Sequence, residues 1–310
     1  MPDQQPGPAC LFPGQGSQAV GMGRGLHEGS RGAREVFEEI DDSLGRRLTT
    51  VMFQGPEEEL TQTHNAQPAI AAVSLASFRA LEEALGRRPD VSMVAGHSLG
   101  EYTSLAVAGA LSVSDTIRLV SERGRLMQLA CEERPGGMAA LIGIDELAVE
   151  SICAETGVYI SNVNTDEQII ISGDHMSLAR AIDLAGARGA KKCVALTVGG
   201  AFHSGLMAPA SSPLADVIES LEWHDPVVPI VANCDARPLT TAEEVKAELK
   251  AQITSCVRWS DSVRFMLSSG VQEFVELGQG RVLSGMVKRI DRKAKVSAAG
   301  DMESILALAS

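Results

Sequence analysis

Apolar positions along this chain follow two rhythms. Short apolar runs bounded by glycine, proline or polar loops read as buried strands, and long Ala/Leu-rich stretches read as helices. "ACLF" (9–12) predicts a first strand, followed by the loop "PGQGSQAVGMG". Residues 69–85 predict a helix, and "VSMVA" (91–95) a second buried strand. A helix follows from Ser98 to about Ala110. Another is predicted from an N-cap at Ser114 through "DTIRLVSERGRLMQLACEE". Strands alternating with helices predict an α/β fold built on a mostly parallel sheet.

The texture changes after "ERPGG". "MAALIGI" reads as a strand, 145–156 as a helix, "VYISNVN" and "QIIISG" as a strand pair, "HMSLARAIDLAGARG" as a helix and "KKCVALTV" as a strand. That order, β-α-β-β-α-β, is the ferredoxin-like pattern. It predicts a small domain, residues 127–197, inserted into a large domain made of 1–126 and 198–310. Behind it come a helix through Leu221, the strand "VPIVANCD", a helix over 242–255, a strand in "QEFVELGQG" and a final helical stretch.

Composition narrows the function classes. The 310 residues are 45% hydrophobic and 22% charged, and aromatics supply only 4%, so Ala, Leu, Val and Ile must fill the core. A net charge of −13 provides neither the basic footprint of a nucleic-acid binder nor attraction to anionic membrane. No apolar run is long enough to span a bilayer. The first eight residues, "MPDQQPGP", read as a flexible tail and lack the apolar core of a signal peptide. The six cysteines contain no Cys-x-x-Cys pair and read as free thiols of a reducing cytoplasm.

The chemistry concentrates at "MVAGHSLGEYTSLAVAGAL". Gly96-His97-Ser98-Leu99-Gly100 fits Gly-x-Ser-x-Gly between a predicted strand and a predicted helix, the context of a nucleophile elbow. Glycines permit the tight turn. Ser98 then sits at a helix N-terminus, where the Leu99 amide is a natural oxyanion donor. Of the six histidines, His203 in "GGAFHSG" is favoured as the base because it follows a predicted strand. His97 should point away from Ser98, and His175 and His224 belong to the surface.

"FPGQGSQ", "GHSLGEY", "SERGRLMQ", "GAFHSGLM", "AQITSCVRW" and "ELGQGRVLSG" span nearly the whole chain. Together they resemble the malonyl-CoA:acyl carrier protein transacylase family, which serves fatty acid and polyketide synthesis. The resemblance implies a hydrolase-like large domain carrying a ferredoxin-like insert. It also implies ping-pong malonyl transfer from malonyl-CoA to the phosphopantetheine thiol of an acyl carrier protein, with no cofactor, in a cytoplasmic monomer. It casts Ser98 as nucleophile and His203 as base. The backbone amides of Gln15 and Leu99 would form the oxyanion hole, and Arg123 would be the partner of the malonyl carboxylate. The carbonyl of Gln252 would orient the histidine, Asn164 would line the pocket, and Phe202 would favour malonyl over branched donors. Gly205, Cys256 and Gln279 stand where the family often has proline. Among basic runs, Lys288, Arg289 and Arg292 are the first choice for docking the carrier protein, and Arg188, Lys191 and Lys192 the second.

Three rivals remain at this point. A serine acyl hydrolase or thioesterase would share the elbow and the histidine but wants an acidic third member, for which Asp166, Asp174 and Asp183 are poor candidates in the small domain. A dinucleotide-binding oxidoreductase would use Gly14-x-Gly16-x-x-Ala19, although Pro13 breaks the preceding strand. A non-catalytic module that binds a carrier protein would leave Ser98, His203 and Arg123 unexplained.

Overall fold

The computed structural model describes residues 6–310, so most of the expected N-terminal tail lies outside the described residues. Among the described residues, ten strands form two sheets. They are β1 (Ala9–Phe12), β2 (Met93–Gly96), β3 (Gly137–Ile142), β4 (Tyr159–Thr165), β5 (Gln168–Gly173), β6 (Lys192–Ala195), β7 (Ile230–Val231), β8 (Pro238–Leu239), β9 (Glu273–Leu277) and β10 (Lys295–Ala299). The large sheet has the order β10-β9-β1-β2-β7-β8 and is parallel except for the β7–β8 pair. The small sheet, β4-β5-β3-β6, is antiparallel and carries the helices Glu146–Thr156 and His175–Ala187. This is the expected α/β architecture with a ferredoxin-like insert.

Several boundaries differ from the sequence reading. The helix ending at Leu85 starts at Thr63 and carries Pro68 in its second turn, where the ring removes the N–H that would reach the His64 carbonyl; that carbonyl accepts from Arg46 Nη2 instead. Ser112, not Ser114, caps the next helix, its side chain accepting from the Asp115 amide. That helix runs unbroken from Val113 to Glu133, so the expected domain boundary at 127 falls inside it. "VPIVANCD" pairs only at Ile230–Val231, because Asn233 turns out of the sheet to serve other partners. The last stretch is not all helical. β10 was missed because "KVSAA" follows a basic run and has too few β-branched residues to announce a strand.

The two sheets are joined at a defined register. Val163 donates its amide to the Val257 carbonyl at 2.9 Å, and Val257 donates to the Ser161 carbonyl at 2.8 Å. This bridge lays β4 of the insert along the 253–258 loop of the large domain. Arg258 adds an ion pair to Glu146 at 3.1 Å across the same seam. Among the described residues, no helix is long and apolar enough to cross a membrane.

Two glycines permit the turn after β2. A Cβ on Gly96 would lie 1.8 Å from the Gly100 carbonyl carbon, and one on Gly100 would lie 1.9 Å from the Phe12 oxygen. Both clashes are with backbone, which cannot step aside. Gly100→Ala is therefore expected to destabilise the protein by about 3 kcal/mol or more, at the upper end of overpacking costs. A urea-unfolding midpoint equal to wild type would contradict this reading of the turn.

Candidate active site

Ser98 stands between the end of β2 and the helix Leu99–Val107 with φ 53° and ψ −105°. This is strained geometry for a residue with a Cβ. Two contacts hold it: the Ser98 amide donates to Asn233 Oδ1 at 2.7 Å, and the Ser98 carbonyl accepts from Gln252 Nε2 at 2.8 Å. Leu99 is the first residue of the helix, so its N–H has no intrahelical acceptor.

The structure brings the serine and the favoured histidine together. Ser98 Oγ lies 2.7 Å from His203 Nε2. His203 is itself at positive φ, 54°. Its Nδ1 faces two carbonyls, Gln252 at 3.0 Å and Ser255 at 3.1 Å. Those carbonyls require a proton on Nδ1 and leave Nε2 as the acceptor for the serine hydroxyl. No carboxylate fills the third position. Asp166 pairs with Arg264, and Asp174 caps a small-domain helix.

Arg123, on the helix Val113–Glu133, is 1% exposed. Its Nη2 donates to Ser98 Oγ at 3.2 Å and to Gln252 Oε1 at 3.0 Å, and its Nη1 donates to Gln67 Oε1 at 2.8 Å. The guanidinium lies over the Tyr102 ring, 4.9 Å from the centroid. Its Nε–H is buried with no acceptor. Every direct partner is neutral, so a charge and a free donor are held beside the nucleophile.

These groups open onto a cavity of about 330 Å³ between the two sheets. Gln15, Leu99, Phe202 and Asn164 all line it. His97 lines it too; its Nε2 meets Asn164 Oδ1 at 2.9 Å and makes no bond to Ser98, so this histidine and asparagine tie the elbow to β4. His175 and His224 are exposed. The walls are otherwise largely apolar, including Met127, Met138, Leu196 and Met286.

Neither basic run reaches this cavity. The helix Val282–Ile290 touches it with Val282, Leu283 and Met286 near its start. It then runs back to the opposite edge of the parallel sheet to begin β10. Lys288, Arg289 and Arg292 are therefore carried away from Ser98, and Lys288 Nζ is spent on the Ala294 carbonyl at 2.6 Å. Arg188 pairs with Glu155 at 2.5 Å and Lys191 with Glu167 at 3.6 Å, which neutralises much of the second run. The dinucleotide reading also fails on geometry. No helix starts until Arg24, and Gly14 is packed so tightly that a Cβ would sit 2.5 Å from the His97 carbonyl oxygen.

The chain is similar to known proteins along nearly its whole length. The family described as "Acyl transferase domain" matches residues 10–303. The chain belongs to the acyl transferase family. It is 41% identical over 302 residues to the malonyl CoA-acyl carrier protein transacylase of Bacillus subtilis, covering 96% of this chain and 94% of that one. Identity to the Escherichia coli K12 protein of the same name is 37%, covering 96% and 97%. The acyl-carrier-protein-S-malonyltransferase of Bartonella henselae superposes with a TM-score of 0.92 at 41% identity, covering 97% of this chain and 98% of that one. A type II PKS malonyl-transacylase solved in complex with its acyl-carrier protein gives a TM-score of 0.92 at 39% identity, covering 96% and 97%.

Sequence reasoning missed the acyl transferase's supporting residues. Gln67, which holds Arg123, and Asn233, which holds the Ser98 amide, sit in no motif, and Glu101, which accepts from Gln252 Nε2, lies inside "GHSLGEY" without a periodic or chemical flag. Of the residues that replace a frequent proline, Gly205 makes room for the small domain: a Cβ there would lie 2.6 Å from Tyr159 Oη.

Burial, reinforced by the Arg123 charge, pushes the His203 pKa from 6.5 down to about 3. The imidazole is therefore neutral and ready as a base throughout the neutral and mildly acidic range. The unfolded chain protonates this residue near 6.5, so its contribution to stability is present above that pH and is lost as pH falls towards 3. An ordinary histidine would cut the reaction of Ser98 with a fluorophosphonate about thirtyfold between pH 8 and pH 5. Here the rate is expected to stay nearly flat over that interval. A fall with a midpoint at 6.5 would contradict the site's electrostatics.

Proposed function

We infer that this acyltransferase moves a malonyl group from malonyl-CoA to the phosphopantetheine thiol of an acyl carrier protein through an ester on Ser98. The observation that carries the reading is the buried Arg123 guanidinium, bonded to Ser98 Oγ at 3.2 Å and holding an unpaired Nε–H. A buried donor without an acceptor is costly, and the free carboxylate of a malonyl group supplies both the acceptor and the opposite charge. A neutral acyl group supplies neither.

The chemistry then follows from position. His203 Nε2 takes the Ser98 proton as Oγ attacks the thioester carbonyl. The amides of Gln15 and Leu99 receive the oxyanion, and His203 returns its proton to the departing CoA thiolate. In the second half, the carrier thiol gives its proton to His203 and attacks the ester, which restores Ser98. Held by carbonyls alone, the imidazole is a weaker base than one backed by a carboxylate. A thiol is a far easier nucleophile to activate than water, so this arrangement favours transfer over hydrolysis. The apolar cavity walls limit the water available.

Intact-protein mass spectrometry after mixing with malonyl-CoA is expected to show one malonyl adduct, absent in Ser98→Ala and discharged by holo carrier protein. Release as free malonate with no carrier product would make the enzyme a hydrolase. Arg123→Ala is expected to lose malonyl transfer by about 10²-fold or more while relative use of acetyl-CoA rises, as for a buried charge pair broken on one side. An equal loss with both donors would make Arg123 structural. The Phe202 ring is buried on the cavity wall, where an α-methyl would need space. Phe202→Ser should raise the ratio of methylmalonyl-CoA to malonyl-CoA specificity constants, and an unchanged ratio would remove Phe202 from donor selection.

A further inference from the structure

Beneath the elbow lies a second polar cluster to which the transfer steps assign no task. Glu101 is 0% exposed and Glu248 is 5% exposed. Both accept from one backbone donor, the Asn233 N–H, at 2.9 and 3.0 Å. Glu248 Oε1 also accepts from the Cys234 amide at 2.8 Å. Glu101 Oε2 faces elsewhere: it accepts from Gln252 Nε2 at 2.7 Å.

That last contact decides the orientation of an amide. Gln252 Nε2 has two hydrogens, and both are placed, one on Glu101 and one on the Ser98 carbonyl at 2.8 Å. Gln252 Oε1 is thereby turned to Arg123 Nη2 at 3.0 Å. Flipping the amide would set an NH₂ against a guanidinium and leave Glu101 without its donor. We propose that Glu101 is a positioning residue for donor selection. Through the Gln252 amide it holds the Arg123 guanidinium beside Ser98, while Glu248 supports only the local backbone.

Two facing buried carboxyls cannot both ionise at ordinary cost. Burial and the facing Glu248 push Glu101 well above the carboxylate range, and burial raises Glu248 as well. Glu101 Oε2 already faces a donor, Gln252 Nε2, so a proton on Glu101 goes to Oε1, the oxygen that shares the Asn233 N–H with Glu248. Oε2 of Glu101 stays an acceptor for Gln252 in either state, so the orienting contact survives protonation. Arg123 draws Glu101 back towards ionisation only weakly against that burial, so the contact orients the guanidinium through the amide rather than by charge.

The inference rests on the acyl-transfer reading, and one assay separates the two. Ser98 acylation by malonyl-CoA and by acetyl-CoA is followed by mass in wild type and variants, with thermal unfolding recorded alongside. Glu101→Met removes the acceptor, and the malonyl-to-acetyl ratio is expected to fall about tenfold or more, the scale of a lost bond to a charged partner. Glu101→Gln keeps a carbonyl for Gln252 and is expected to retain the ratio. Glu248→Gln keeps an acceptor for Asn233 and Cys234 and should leave the ratio within about twofold, the scale of a substitution that breaks no bond to the site. An unchanged ratio in folded Glu101→Met, or an equal fall in Glu248→Gln, overturns the proposal. If Glu101→Met does not fold, Gln252→Met carries the test, since it removes the amide but keeps the backbone carbonyl that orients His203. There a fallen ratio is expected and a wild-type ratio overturns the proposal. Wild-type enzyme that takes no malonyl group on Ser98 refutes the transfer reading itself, whereas acylation with unmoved variants refutes this inference alone.

Discussion

A permanent positive charge held out of water next to a serine hydroxyl is the constraint on which the rest of this structure depends. Arg123 cannot shed its proton in a protein, so the surroundings must make the charge tolerable. They do so with the amide oxygens of Gln67 and Gln252 and the face of Tyr102. None of these neutralises the guanidinium, and the Nε–H is left over. The site is therefore electrostatically incomplete, and the carboxylate of the proposed malonyl group would complete it. The same charge presses on His203 and, together with burial, keeps that imidazole neutral. One residue thus favours the acyl group and keeps the base in its working form.

The fold supplies the precision this arrangement needs. Ser98 comes from the end of β2, Arg123 from the helix that leads towards the insert, and His203 from the loop that returns from it. Gln252 and Asn233 reach in from the C-terminal part of the chain and grip the elbow from behind. The insert closes the other side, where Asn164 bonds His97 and β4 is pinned to the 253–258 loop. The serine and the histidine both sit at positive φ. Such strain persists only because these hydrogen bonds over-determine each position.

Much of this was legible in the sequence because the informative features are local. The elbow is a five-residue pattern whose glycines answer a backbone clash, and the β-α-β-β-α-β order of the insert shows in its periodicity. The pairing of Ser98 with His203 was suggested by the loop position of the histidine, and the roles of Arg123 and Gln252 only by family resemblance. What stayed hidden is long-range. Asn233 and Gln67 act across more than fifty residues of chain, with partners that no spacing predicts. The place of a basic run in the fold is hidden for the same reason. "KRIDRKAK" is dense in sequence, but the parallel topology takes its helix to the edge of the sheet away from Ser98.

In the proposed acyl-enzyme, Arg123 pairs with the carboxylate of the acyl group on Ser98. The most direct measurement is a crystal structure of the wild-type acyl-enzyme, prepared with excess malonyl-CoA and no carrier protein so that the ester is not discharged. The malonyl carboxylate is expected within hydrogen-bond distance of the Arg123 guanidinium, with the Nε–H satisfied and the ester carbonyl towards Gln15 and Leu99. A carboxylate directed out of the cavity, with Arg123 still bonded only to Gln67 and Gln252, would contradict it.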